Sequence, residues 1–547
     1  MKSLSFVILF LLSFTSFSAQ SISETQKLVS LCKVWGFLKY YHPYVAKGNF
    51  NWDQQLFQKI NELEKVNDKK QLNELYSHWI DSLGNVEECT ICSVTEPKTE
   101  FLKNFDLSWI DHDPFFTKEV SQKLHYIQNN RNIGDHYYLG ISERKVFFRN
   151  ETPYSTKFTS TSISLLELFR YWNLVEYFFP YKYKTDQNWD DVLAEMIPKF
   201  LNINDDVQYH LTLAELVTKT DDSHAFLFSP LISMNQYGRR KIPVEYAYAE
   251  GKLVVTKINT IQYQEEIPLK SGDVIYSVDG KTIPQMVNSF GKYIPASNSW
   301  GKIKKTKSLF LFSNKDSLEL RLERDGQNVS VKAKTYLPRD IINEKNALPE
   351  KWKFIDPEKK IGYVNMGIIE RDNLEEMYRN LKAAESIIFD LRNYPKQTII
   401  PLSRLILPEN TIYYRFNFPD IHYPGKYYSR KNSIGLHNPD SYKGNVVILA
   451  DENTQSQAET TTMMLKQHPK SKVIGSYTSG ANGEVITFNM AGLKTSFTGI
   501  GAYYPDGMET QRTGIIPDIY IQPTVKGLQE GKDEVLERAL EYIKTGK

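Results

Sequence analysis

Two side chains far apart in this chain have the chemistry of a nucleophile and its base. Ser456 stands in Asp451-Glu-Asn-Thr-Gln-Ser456-Gln-Ala-Glu459, after the apolar run Val446-Val-Ile-Leu-Ala450 and ahead of a helix predicted over Thr460 to Gln467. A strand–turn–helix of this kind sets a hydroxyl at the mouth of a sheet. The orphan N–H groups of the helix start then lie beside it and can stabilise a developing negative charge. The same position also suits a plain helix cap, by Thr454 or Ser456, so the turn alone does not separate a nucleophile from a cap. His224 closes Thr220-Asp-Asp-Ser-His224, after a helical stretch from Tyr209 to Thr218. A neutral imidazole can take the proton of a serine that is otherwise a weak nucleophile. A histidine at a helix exit is also an ordinary solvated end.

The elements that must position these residues fall into three regions. In the first half, Trp35-Gly-Phe-Leu-Lys-Tyr-Tyr-His-Pro43 recurs 137 residues later as Trp172-Asn-Leu-Val-Glu-Tyr-Phe-Phe-Pro180, and Asn51-Trp-Asp53 recurs as Asn188-Trp-Asp190. Similarity at a fixed offset predicts two related helical units, each an aromatic-rich helix, a proline stop and a second amphipathic helix. Only the second copy ends in a Ser-His pair; the first ends Asp81-Ser-Leu-Gly-Asn85. Between the copies, Tyr137 to Ile141 and Lys145 to Arg149 read as two short strands. From Ile242 to Leu337 the pattern alternates as strands do. Tight turns are expected at Ser271-Gly272, Asp279-Gly280 and Asp325-Gly326. Beyond Lys359 strands alternate with helices: Ile361 to Asn365, a helix from Asn373 to Ala384, then Ser386 to Leu391, Val446 to Ala450 and Lys472 to Gly475. Such a sheet is covered on both faces, with its working residues at strand C-termini. Ser456 meets that condition, as does Asp390-Leu-Arg-Asn393.

With 547 residues the chain has room for roughly three or four domains. Its 67 basic and 65 acidic residues give a net charge of +2, which supplies no electrostatic case for nucleic acid. The first residues read as a secretory leader: Lys2, the apolar Phe6-Val-Ile-Leu-Phe-Leu-Leu12, and a small-residue cut site that places cleavage after Ala19. No later stretch is long and apolar enough to span a bilayer. The mature protein is therefore expected to be exported, to a periplasm or beyond the cell. Of three cysteines, Cys89 and Cys92 form either a small disulfide or a pair of free thiols, with no second pair to complete a zinc site, while Cys32 lies in a helical apolar pattern and is expected in a core. No cofactor and no metal are expected.

Several motifs together carry a family resemblance. The Gly272-Asp-Val-Ile to Val278-Asp-Gly-Lys281 segment resembles a PDZ domain, although the usual Gly-Leu-Gly-Phe loop is not evident. Asn453 to Glu459, Gly475-Ser-Tyr-Thr-Ser-Gly480 and Gly514-Ile-Ile-Pro-Asp-Ile519 resemble the S41 serine peptidases, the family of C-terminal (tail-specific) processing and tricorn-type proteases. The likeness spans roughly Thr161 to Pro523, and the paired N-terminal units look like those of exported Bacteroidetes members. The resemblance implies a multidomain α/β protein. It would comprise a leader (1–19), a first helical unit (20–150), a second carrying Ser223-His224 (151–235), a PDZ-like module (236–340) and a crotonase/ClpP-like peptidase domain (341–547). It also implies a substrate, a peptide or unfolded protein. The processing members use a Ser–Lys dyad, but the lysine slot near Ala481 holds none, and Lys472 and Lys494 flank it from outside. The tricorn-type chemistry fits instead: Ser456 as nucleophile, His224 as general base, Ser223 and an acid behind it. Glu509 lies closest to the acid's slot and Glu484 is the runner-up. The Gln457 N–H and the loop after Asn393 would form the oxyanion hole. There Tyr394-Pro-Lys-Gln397 replaces the expected glycines, and Pro395 has no N–H. The leading expectation is an exported serine endopeptidase. The alternatives are a catalytically silent peptide-binding protein on the same scaffold and a hydrolase of a non-peptide ester or amide.

Overall fold

The computed structural model describes residues 22–92, 100–262, 266–342, 349–358 and 360–547. The leader and its cut site after Ala19 lie outside the described residues. The architecture is mixed α/β with several sheets, and it is built from the same local rules that the sequence follows.

In the N-terminal half, helices Glu24–Tyr41, Trp52–Leu63 and Lys69–Ser82 are followed, after a short hairpin, by Thr161–Phe178, Trp189–Leu201 and Asp206–Thr218. Each starts on a polar cap whose side chain accepts an N–H of the first turn, among them Ser23, Asn51, Asp68, Ser160, Asn188 and Asp205. In the first set Trp35 and Trp52 exchange indole-to-carbonyl hydrogen bonds at 3.1 Å each. In the second, Trp172 and Trp189 exchange the same pair at 2.9 and 3.0 Å. Burying an indole costs least when its N–H finds a partner, and each pair meets that need with the other's backbone. The two helix sets share one core with the antiparallel hairpin Glu484–Met490 and Leu493–Tyr503, through Ile486, Met490 and Phe497. At the heart of this junction Arg170 is paired with Asp53, Glu151 and Glu167.

The middle region is an antiparallel sheet in the order Gln327–Lys334, Ser317–Arg324, Val274–Val278, Lys252–Ile258, Val244–Ala249. The turns stand where expected. Asp279 and Gly280 have φ of 48° and 80°, and Asp325 and Gly326 have 51° and 75°. Two successive positive φ values make the tight hairpin turn that matches strand twist. Helices Ile283–Gly291 and Ser299–Thr306 follow.

The C-terminal part holds a six-stranded sheet in the order Trp352–Phe354, Ile361–Asn365, Ser386–Asp390, Asn445–Ala450, Ser471–Gly475, Ile519–Tyr520, parallel except at the first pair. Alternate residues feed two cores. Ile387, Phe389, Val446 and Ile448 pack under helices that contribute Met377, Leu402 and Met463, while Ile388, Val447 and Leu449 pack against Val535 and Ala539 of the Glu534–Thr545 helix. Coverage on both faces explains the continuous apolar runs of these strands. Two helices differ in extent from expectation: one spans Leu374–Leu381, and the helix after Ser456 begins at Gln457, not Thr460. The reason for the second is Glu459, whose carboxylate reaches back to the Ser456 N–H and ties down the first turn. Cys89 and Cys92 form a disulfide with a Cα separation of 5.4 Å, and Cys32 is free and buried. Among the described residues no helix is long and apolar enough to cross a membrane, and no group of His, Cys, Asp and Glu is arranged to hold a metal ion.

Candidate active site

Ser456 sits directly ahead of the Gln457–Leu465 helix, at the C-terminal end of the parallel sheet, with φ 57° and ψ −118°. An ordinary helix cap is extended. A non-glycine residue in this region costs about 1–3 kcal/mol and persists only where its surroundings impose it. Here they do. The Ser456 N–H donates to the Ala481 carbonyl (2.9 Å) and to Glu459 Oε2 (3.0 Å). Glu459 Oε1 accepts the Gly480 N–H (3.0 Å) and the Thr478 hydroxyl. Burial pushes the Glu459 carboxyl up to about 7. Thr454 braces the turn from the other side: its hydroxyl donates to the Leu391 carbonyl (2.8 Å), and its carbonyl accepts the Ser479 N–H (3.1 Å). Three strand ends, those before Leu391, Asp451 and Ser476, are thus sewn around one serine.

His224 is 9 % exposed. Its Nδ1 lies 2.9 Å from Thr498 Oγ1. That hydroxyl lies 3.1 Å from Asp222 Oδ1, while Asp222 Oδ2 accepts the Thr498 N–H at 2.7 Å. Asp222 is fully buried and also accepts the His224 N–H (3.0 Å) and Gln511 Nε2 (3.3 Å). The far nitrogen, Nε2, is buried with no hydrogen-bond partner among the described residues. Burial holds the imidazole below its ordinary value, with Asp222 pulling the other way and Lys305 and Lys304 adding to the depression. The ring is therefore neutral near pH 7, which a general base requires.

Ser223 does not touch the imidazole. Its hydroxyl donates to the Ser479 carbonyl (2.9 Å) and accepts the Ser297 N–H (2.8 Å), while the Ser223 N–H donates to Ser297 Oγ (2.8 Å). It joins the His224 loop to the middle module and to the peptidase sheet at one point. Gly301 is what allows the module this close: a Cβ there would stand 2.4 Å from Ser223 Oγ. The Gln455 amide also donates to the Ser223 carbonyl (3.2 Å), so the serine turn and the histidine loop are neighbours. Among the described residues no hydrogen bond joins His224 to Ser456; such bonds are often loose without substrate and tighten once it binds.

Glu509 and Glu484, the carboxylates expected behind the histidine, bond elsewhere. The Glu509 carboxylate accepts from Lys103 Nζ (2.8 Å) and the Tyr183 hydroxyl (3.3 Å), and makes no contact with His224. Glu484 is half-exposed and pairs with Lys145. The carboxylate that the geometry sets behind the imidazole is Asp222, through Thr498. The pattern that could have revealed Asp222 is its place next to the Ser-His pair; nothing local points to Thr498. Of the expected oxyanion donors, the Gln457 and Asn393 N–H groups have no acceptor among the described residues. The Asn393 loop is held by Arg392, which bridges Asp390 and Asp533.

The sequence also hides the lysines of the Ser299–Thr306 helix and its exit. Lys304 Nζ reaches the Asn453 carbonyl (3.2 Å) and Gln455 Oε1 (2.8 Å), and Lys307 reaches Glu452 and Asn453. Lys305 is buried, donates to the Ala225 and Pro295 carbonyls (2.8 Å each), and is pushed down to about 7 by desolvation. A cavity of 360 Å³ lined by Asp221, Ser297, Asn298 and Arg512 opens next to this loop. A larger one, 610 Å³, lies among the N-terminal helices, lined by Lys33, Trp109, Tyr183 and Asp190; it includes none of the candidate residues. Convergent chemistry, not cavity size, locates the site.

Residues 360–521 match the model of peptidase family S41. No curated protein matches the sequence. Among solved structures, mature CPAF aligns at 14 % identity over 70 % of this chain and 98 % of its own, with a TM-score of 0.56. Mature CPAF complexed with lactacystin aligns at 13 % identity over 71 % and 99 %, with a TM-score of 0.55. A putative peptidase from Parabacteroides merdae ATCC 43184 aligns at 14 % identity over 71 % and 97 %, with a TM-score of 0.44. At these identities the CPAF likeness speaks for the fold alone. Through residues 360–521, the chain is thus similar to peptidase family S41.

Proposed function

We propose that this protein is an exported serine endopeptidase in which Ser456 is the nucleophile and His224 its general base. His224 Nε2 removes the Ser456 proton, Ser456 attacks the scissile carbonyl, and the acyl-enzyme forms as the amine leaves with the proton from the imidazole. Water then enters by the reverse path and releases the acid. Asp222, acting through Thr498, holds the tautomer with Nε2 open and stabilises the imidazolium; it takes the part first assigned to Glu509. Ser223 anchors the loop. The Gln457 N–H is one oxyanion donor and the Asn393 loop, with its own N–H, supplies the other. The observation that carries this reading is the buried His224 ring, fixed at Nδ1 and open at Nε2, in a loop hydrogen-bonded to the strained Ser456 turn. We read the two N-terminal helix sets as copies of one unit and the middle sheet as a PDZ-like module, which suits a peptide or unfolded-protein substrate.

A serine-reactive fluorophosphonate tests the chemistry. Labelling that maps to Ser456 and disappears in His224→Ala supports it. The competing reading is a silent peptide binder, favoured by Tyr394-Pro395 where a second oxyanion donor is needed. It predicts no labelling of the native protein under conditions where related peptidases react.

A further inference from the structure

Three aromatic rings form a row across the seam between the middle module and the peptidase sheet. Trp300, at the start of the Ser299–Thr306 helix, stacks on Tyr477 with ring centroids 6.1 Å apart and planes 23° apart. Tyr477 in turn meets Tyr520 at 5.9 Å. None of the three belongs to a hydrophobic core, and Tyr477 and Tyr520 are 37 % and 54 % exposed. A clasp between two modules would hide its rings; Trp300 is half-buried, but the two tyrosines stay open to solvent, and contiguous exposed aromatic surface marks a binding surface.

The row passes the candidate site at its middle ring. Tyr477 directly precedes Thr478 and Ser479, which bond to Glu459 and Thr454 in the bracing of Ser456. It ends at Tyr520, in the outermost strand of the six-stranded sheet, which among the described residues pairs on one side, with Ser471–Gly475. An unpaired strand edge offers main-chain donors and acceptors to an added strand. The spacing fits the same occupant. In an extended chain, side chains on one face recur every second residue, roughly 6.5 Å apart, close to the two ring separations.

We propose that Trp300, Tyr477 and Tyr520 form a substrate track that receives an extended polypeptide segment carrying large apolar or aromatic side chains at alternate positions. Resting on the peptidase reading above, this assigns those three residues the choice of which segment reaches Ser456. A glycan would also stack on such rings, but it has no use for the strand edge beside them.

The test separates binding from catalysis. Fluorescein-labelled octapeptides differing only in a Phe-x-Phe, Phe-Phe or Gly-x-Gly core are titrated by anisotropy into full-length Ser456→Ala protein. The track predicts binding of Phe-x-Phe at least tenfold tighter than Gly-x-Gly, and tighter than the adjacent pair. The preference should collapse in Tyr477→Ala and Tyr520→Ser and persist in Tyr477→Phe. Tyr520→Ser alters an exposed edge side chain, so its result stands even if Tyr477→Ala folds poorly. Equal binding of all three peptides, a spacing preference unchanged in Tyr520→Ser, or tighter binding of an oligosaccharide than of any peptide would overturn the proposal. Fluorophosphonate labelling of the wild type is read beside it. Spacing preference without labelling sinks the catalytic reading and leaves the track; labelling without spacing preference does the reverse.

Discussion

Replacing Glu459 by Gln is expected to favour the C-terminal half, relative to wild type, by about 3 kcal/mol more at pH 8 than at pH 5. The carboxyl is fully buried, accepts the Ser456 and Gly480 N–H groups and the Thr478 hydroxyl, and has no cation bonded to it. Desolvation raises it from an ordinary 4.5 to about 7. Between those values the folded protein holds a proton that the unfolded chain has released, so stability falls as pH rises through the window and levels off above about 7. A shift of roughly 2.5 units corresponds to about 3 kcal/mol lost by pH 8. Glutamine has no proton to lose, but it keeps one acceptor oxygen where the carboxyl has two, so either the Ser456 or the Gly480 N–H, which bond to different oxygens, loses its partner; that cost is the same at both pH values. Asp451, also raised to about 7 by burial, gives the wild type a slope of the same sign, so the difference between variant and wild type isolates Glu459. Pulse proteolysis in urea, following fragments from the C-terminal half, gives the midpoint at each pH. A difference between variant and wild type that is the same at pH 8 as at pH 5 would refute the argument that charge burial dominates this carboxyl.

Asp222→Asn is expected to lower kcat/KM on a peptide substrate by about a hundredfold or more, since it removes the charge behind the imidazolium; it should also move the acidic limb of the pH–rate profile, which a purely structural loss would not do. Lys305→Met should stabilise the protein below pH 7. The folded amine is lowered to about 7 from 10.5, so the burden of a buried charge is present at low pH and lifts as pH rises from 7 towards 10.5; the same urea midpoints at pH 6 and pH 10 read it, and a gain at pH 10 as large as at pH 6 would contradict it. Arg170→Met leaves Asp53, Glu151 and Glu167 facing one another with only Lys39 nearby. A loss of about 3–5 kcal/mol is expected at pH 7, shrinking as the carboxylates protonate, and a loss below 1 kcal/mol would show that the network is solvated.

Local chemistry was readable and distant partners were not. The turns at Asp279-Gly280 and Asp325-Gly326 could be placed because the backbone conformation they need suits those residue types. Ser456 could be singled out because an apolar strand, a polar turn and a helix follow one another within a short stretch. The tryptophans of the helix sets could be matched because both copies keep the same spacing. Glu509 illustrates the opposite case. Its neighbourhood in sequence pointed to the histidine, but Lys103, more than four hundred residues upstream, holds it elsewhere. Thr498 stands in the interior of a strand with nothing nearby to mark it, and becomes meaningful only when folding sets it against Asp222. The lysines at 304, 305 and 307 carry no local mark of a role; they meet the serine and histidine loops because Gly301 lets their helix approach.

The Ser223 junction has a consequence for when this protein can act. Its three strands of contact come from the second helix set, from Ser297 in the middle module and from Ser479 near the end of the chain. Ser297, Ser479 and Thr498 all lie downstream of the histidine loop, so its bracing is complete only when three regions of the chain have met. A chain still being made therefore holds residues 222–224 without these partners, and the His224 ring reaches its fixed orientation only as the whole fold closes.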